Sequence, residues 1–389
     1  MLESMKADKK VLIMGGMVLG IIAIFVFAII FIKLSSGGTL SYEKIENKLE
    51  TAAEKYLKDN DSLLPKKIGQ TAEVSSDNLV SGGYISDLTE YTEEGVICSA
   101  KVIVGKYDED KYDYVADLDC GDAYKTQFLA DYLIEEDSVT SGNGLYKMED
   151  VVEIGEPLGI DDDGYDLSTN DLLKGYIYRG EAVNNWVMID KLKYRIVKID
   201  GNNDLMVVSV NQKVKGKFDD RYNSESQKEW GINKYALSRA YENITNDYNK
   251  NTEEEDSVLA SKVAAKNVCI GARNADETIT DGSIECSEVL KDQTYSLLPM
   301  FDVMNASLAE ECSTTISTEC VNYNYLTSGT SFWTMTPSPE NTYSGYRVGK
   351  KIEHSRTDIN SVFKYVVYLS NRVKFDGGTG TESDPYIIK

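Results

Sequence analysis

Residues 185–210 read NWVMIDKLKYRIVKIDGNNDLMVVSV and hold three strand candidates in succession, 185–190, 192–199 and 204–210. Valine, isoleucine and aromatic residues dominate the runs, as suits a pleated, half-buried surface. Asp200-Gly201 supplies turn chemistry between the last two. Further along, 332–336 and 362–369 read as core strands. Residues 230–246 are partly helical, and 258–268 forms another apolar segment. Helical spacing of Leu297, Leu298, Phe301, Val303 and Met304 predicts a helix over 296–307. Gly377–Gly380 is a terminal turn before Pro385. The pattern predicts a β-rich α+β domain over 175–389.

Upstream, 126–174 is acidic and weakly patterned, and reads as a linker with some attached structure. Before it, 40–125 predicts a small α+β domain. Ser41 is placed to cap a helix from 42 to about 58, with Ile45, Leu49, Ala52, Ala53, Tyr56 and Leu57 on one stripe. A short helix from Ser76 ends at Gly82-Gly83. Residues 95–104 and 111–120 predict a hairpin around a polar turn at 106–111.

Val11 to Ile32, VLIMGGMVLGIIAIFVFAIIFI, carries no charged residue. At about 1.5 Å per residue it extends about 33 Å, enough to cross a bilayer core. It predicts a single transmembrane signal anchor over 11–33 with a cytoplasmic tail at 1–10. Lysines flank it on both sides, so charge alone does not orient it. The cysteines do: Cys98, Cys120, Cys269, Cys286, Cys312 and Cys320 are even in number and fall into three neighbouring pairs without a CxxC. Local pairing predicts disulfides 98–120, 269–286 and 312–320, which persist outside the cytosol. The expected protein is therefore single-pass in the cell membrane, with its C-terminal region extracellular.

The chain has 389 residues and a formal net charge of −23, which disfavours nucleic acid as a partner. There is one histidine, His354, in a polar stretch. This excludes two-histidine metal sites. No GxSxG or GxxxxGK[ST] occurs, so neither a serine elbow nor a phosphate-cradling loop is expected. Asp161-Asp162-Asp163-Gly164 invites a calcium loop. An EF-hand loop centred on Gly164 would begin at Gly159 and end at Asn170, lacking two oxygen ligands. No catalytic residue, cofactor or metal ligand is assigned. Trp186, Trp230 and Trp333 are the candidate ligand contacts, since such rings stack on sugar faces, although core packing is the commoner use.

The blocks YIYRGEAVNNWV (176–187), YRIVKIDG (194–201), CIGAR (269–273), LLPMFDVMNAS (297–307), NYNYL (322–326), FWTMTP (332–337) and VVYLSNRVKFDGGTGTESDPYII (366–388) come in a fixed order. On them the second domain resembles an uncharacterised C-terminal domain of surface and secreted proteins from Gram-positive, Firmicutes-type bacteria. The first, with its helix, GGYI segment and YKT ending at 124–126, is similar to the globular parts of pilin-like proteins. One departure is that Lys364-Tyr365 stands where that family often has Arg-Pro. The resemblance implies an extracellular module, C-type-lectin-like in fold, with no established activity. The expected function is non-enzymatic binding or adhesion toward a glycan or protein at the cell surface. The alternatives are a carboxylate-dependent cell-wall or carbohydrate-processing enzyme, and a structural or sensory component of an envelope complex.

Overall fold

A computed structural model describes residues 39–152, 158–162, 164–210, 213–254, 257–313 and 315–389. The apolar segment 11–32 and the tail before it lie outside the described residues. Among the described residues no helix is long and apolar enough to cross a membrane. The protein is mixed α+β, sheet-rich, with six α-helices among the described residues and three disulfides. The chain divides into two compact units. Of the described residues, the first comprises 39–62, Glu73–Val102 and Tyr114–Thr126; the second comprises Leu63–Ala72, Ile103–Asp113 and those from Gln127 to Lys389.

In the first unit, the expected helix runs Tyr42–Asp59 and buries Ile45, Leu49, Ala52, Ala53 and Leu57. Ser41 occupies the cap position, yet its side chain makes no capping bond. Polar contacts add to the apolar stripe. Glu46 is buried, and its carboxylate accepts from the hydroxyls of Tyr124 (3.1 Å) and Thr126. Glu50 accepts the Ala116 N–H at 3.0 Å. The second helix, Ser76–Ser81, is capped by Ser75, whose hydroxyl accepts from the Asn78 N–H. It stops where Gly83 takes a φ of 75°, a value open to glycine at little cost. The hairpin strands are Ser99–Asp108 and Lys111–Asp119, of which Ile103–Asp113 is counted with the second unit, so the turn is tighter than its polar sequence suggests. Thr71–Ser75 completes a three-stranded sheet. Cys98–Cys120 joins the hairpin's ends, with Cα atoms 4.1 Å apart.

The second unit is built on a nine-stranded sheet. Its main path runs Tyr295–Leu297, Tyr365–Leu369, Leu205–Ser209, Leu192–Ile199, Trp186–Ile189, Tyr386–Ile388 and Phe375–Gly377. Tyr176–Arg179 pairs with both Leu192–Ile199 and Gly144–Lys147. A five-stranded sheet holds Ile352–Arg356, Ser344–Val348, Phe332–Pro337, Asn360–Val362 and Lys215–Lys217, in that order. A two-stranded ribbon of Lys266–Cys269 and Val289–Gln293 carries the Cys269–Cys286 bond, and Cys312–Cys320 clasps a loop. One core joins the faces of the large sheet, including Val187, Ile196, Val207, Val366, Trp333 and Met304. In the 192–199 strand the register slips between Ile196 and Lys198, so Val197 forms a bulge.

Several expectations are corrected. The helix expected over 296–307 begins as the strand Tyr295–Leu297 and becomes helical only over Met300–Asn305. Pro299 intervenes; lacking an N–H, it fits the helix start and not its interior. Residues 362–369 are not one strand. Asn360–Val362 lies parallel to Phe332–Pro337 in the smaller sheet, while Tyr365–Leu369 is central in the larger, and the chain changes sheets at Phe363-Lys364. The structure attached to the acidic stretch includes the helix Leu129–Glu136, which buries Leu129, Ala130 and Leu133 in the core. The stretch also supplies Gly144–Lys147 to the large sheet.

Candidate functional site

In this acidic chain, one cleft of the second unit is lined by three cations, Lys193, Arg195 and Lys364. Its geometry begins with strand alternation. Along Leu192–Ile199, Tyr194 and Ile196 point into the core while Lys193 and Arg195 are half-exposed on the opposite face. Arg195 faces Trp186 across one neighbouring strand and Val208 across the other. The short turn Tyr325–Thr327 brings Tyr325 and Leu326, and the sheet change brings Lys364. Glu382, from the turn before the last strand, lies at the edge. Together they line a cavity of about 290 Å³.

Arg195 is held firmly. Its Nε donates to Asn185 Oδ1 at 2.6 Å and its Nη2 to the Val183 carbonyl at 3.0 Å. The guanidinium carbon lies 4.7 Å from the Trp186 ring centroid and 4.6 Å from that of Tyr325, both within cation–π range. Lys364 is only 8 % exposed. Its Nζ donates to the carbonyls of Leu326 (2.6 Å) and Ser328 (3.2 Å) and lies 4.7 Å from the Phe332 ring centroid. Burial, reinforced by the charge of Arg195, pushes the Lys364 ammonium down to about 8. Lys193 Nζ donates to the Glu382 carbonyl oxygen at 2.6 Å. Among the described residues no carboxylate forms an ion pair with Arg195 or Lys364.

The three tryptophans have different fates. Trp186 is half-buried in the cleft. Trp333 is fully buried in the core against Phe218, and its Nε1 donates to the Ile359 carbonyl at 3.1 Å. It is therefore corrected from candidate ligand contact to packing residue. Trp230 lies elsewhere, with Lys228 and Arg356 each 4.5 Å from its ring centroid and Tyr343 against it. His354 is exposed on an outer strand, 3.9 Å from Glu340. The six cysteines form the three local disulfides expected. Sequence reading missed Arg195, Tyr325 and Lys364. The available signals were the polar positions of an alternating strand and the Lys364-Tyr365 departure.

A second depression, of about 430 Å³, is lined by Asp171, Asp204, Lys266 and neighbouring polar groups. Burial raises the carboxyls of Asp171 and Asp204. Lys266 lies 2.5 Å from both Asp200 and Asp204, and Asp171 accepts from Asn202. These carboxylates are committed to an internal ion network. Asp161, from the calcium-like run, accepts the Tyr165 N–H and pairs with Lys291, while Asp163 lies outside the described residues. Among the described residues no group of three or more His, Cys, Asp or Glu side chains is arranged to hold a metal ion.

Comparison with known proteins finds no matching family model, no matching curated protein and no matching solved structure.

Proposed function

We propose that this chain is a membrane-anchored, extracytoplasmic binding protein, whose second unit takes a small ligand in the Trp186–Arg195–Tyr325–Lys364 cleft without transforming it. The observation that carries this reading is the cleft itself: a concave site with aromatic walls, a stacked arginine on a strand, and a buried lysine held by the carbonyls of a neighbouring turn. Aromatic walls with a few fixed polar groups are the usual makeup of small-molecule sites. The apolar segment 11–32 supports anchoring, and three disulfides support an oxidising compartment. The surface-protein resemblance and a C-type-lectin-like second domain belong to the same proposal.

The alternative of a carboxylate-dependent sugar-processing enzyme would use Asp171 and Asp204. The Lys266 bridge argues against it, because a catalytic acid and base must be free to exchange protons with substrate. The test is a glycan and peptide array probed with the full chain in detergent, beside Trp186→Ala. Saturable binding lost in the variant supports the proposal. Turnover of a polysaccharide, abolished by Asp204→Asn, would replace it. Peptide mass spectrometry under non-reducing conditions, on intact membranes, tests the orientation: six labelled free thiols would overturn it.

A further inference from the structure

Six lysine and arginine side chains are buried among the described residues: Lys198, Lys262, Lys266, Arg273, Lys364 and Arg372. Five have a carboxylate beside them. Lys198 has Asp302 at 2.5 Å, and Lys266 has Asp200 and Asp204 at 2.5 Å. Arg273 has Glu285 at 2.8 Å. Asp113 serves both Lys262 (2.7 Å) and Arg372 (3.1 Å). Lys364 alone of the six has none, in a chain where 64 acidic residues face 41 basic ones. It is also the one that lines the 290 Å³ cleft. A buried charge without a counter-ion is costly, and two carbonyl acceptors offset only part of that cost. Arg195, on the same wall, likewise makes no ion pair among the described residues, although the charge of Glu382 acts on it from the edge of the cleft. Among the described residues the cleft therefore holds two fixed cations with no carboxylate in ion-pair contact, and its one lining carboxylate is Glu382 at the edge.

We infer that the cleft takes a carboxylated saccharide, a uronic acid or a sugar like it, with the acid group on Arg195 and Lys364 and the ring against Trp186. This rests on the reading of the cleft as a binding site and names its ligand class. The size suits one small ring better than a chain of them. Half-buried Trp186 supplies the apolar surface that the C–H face of a sugar covers, while buried Tyr325 backs Arg195. Lys193 can donate to a hydroxyl, and the Ser328 hydroxyl, which donates to the Tyr325 carbonyl, can accept from one. Glu382 at the edge can accept from a hydroxyl, and its negative charge disfavours a doubly charged phosphate more than a single carboxylate.

The groups that bear on Lys364 are Arg195, Lys193, Glu382 and the Tyr325 hydroxyl, besides the Phe332 ring. Burial holds the Tyr325 hydroxyl protonated far into the alkaline range. Loss of charge on Lys364 is then the titration expected near pH 8, and binding of the free acid weakens as pH rises from 7 to 9.5.

The experiment titrates the full chain in detergent with glucuronate and with glucuronamide, its neutral counterpart, by calorimetry and ligand-observed NMR. Glucuronate is expected to bind at least about tenfold more tightly at pH 7, as a charge-assisted bond against a neutral one. Lys364→Met loses that preference. Lys364→Arg keeps it and abolishes its decline toward pH 9.5. Should Lys364→Met fail to fold, the arginine variant and the pH profile still decide. Equal binding of the two sugars, or tighter binding of glucose 6-phosphate, overturns the acidic ligand. If a neutral glycan binds and Trp186→Ala abolishes it, the cleft stands as a site and only this inference falls. If no ligand of any kind depends on Trp186, both readings fall.

Discussion

Lys198 and Lys364 are close to a controlled pair. Each is buried, each lies 4.7 Å from the centroid of a phenylalanine ring, Phe301 or Phe332, and each donates to a leucine carbonyl, Leu172 at 2.8 Å or Leu326 at 2.6 Å. They differ in their other neighbours: Lys364 also donates to the Ser328 carbonyl at 3.2 Å and has the cation Arg195 near it, and only Lys198 has a carboxylate. Asp302 lies 2.5 Å from Lys198, whereas Lys364 faces a cavity. The first arrangement is closed and structural. The second has comparable local support and lacks the charge that would complete it. Burying a cation is therefore not by itself a sign of function in this protein; burying it uncompensated beside a cavity is.

The largest effect that would sharpen the contrast is Asp302→Ala, which strands Lys198. It should cost about 3–5 kcal/mol in urea unfolding of the second unit. A loss below about 1 kcal/mol would erase the distinction between the lysines. Lys364→Met should act in the opposite sense, stabilising the ligand-free protein by about 1–3 kcal/mol, because the change removes an uncompensated charge. A similar loss in both variants would show Lys364 to be as structural as Lys198.

The pH dependence follows from the same difference. A lysine lowered to about 8 when folded regains its usual affinity for protons when unfolded. Between about pH 8 and 10.5 the unfolded chain holds a proton that the folded chain lacks, so folded stability rises with pH in that window. Wild type should gain roughly 1–2 kcal/mol relative to Lys364→Met between pH 8 and 9.5. Parallel profiles would contradict the shift. The smallest effect is expected at Trp230→Ala. Its ring meets Lys228 and Arg356 away from the cleft, and the loss should be within about 1 kcal/mol with ligand binding unchanged.

How far these features were legible depends on whether the physics was local. The 192–199 strand could be read to the residue, because its apolar run and the Asp200-Gly201 turn settle both ends. The cystine pairs were legible for the same reason. The division of 362–369 was not: both halves are apolar, and only their partners, Phe332 on one side and Leu297 on the other, differ. The site shows the same limit. Trp186 was a candidate because tryptophan is conspicuous. Lys364 was noticed only as a departure, since its burial depends on Leu326 and Phe332, which folding brings from distant turns and strands. Arg195 reads as the ordinary polar position of an alternating strand until Tyr325 is placed against it.

The disulfides have a further consequence for how the chain matures. The pairs 98–120, 269–286 and 312–320 never interleave; each closes before the next begins. An oxidant acting on a chain that emerges N-terminus first meets each thiol's own partner as the next one available. Of the 15 pairings six cysteines allow, vectorial synthesis thus favours the native one, with little call on disulfide isomerisation. The large sheet has no such ordering, since Tyr386–Ile388 must find Trp186–Ile189 across most of the unit. Oxidation should finish early and sheet assembly late, leaving a covalently correct chain that still lacks its cleft.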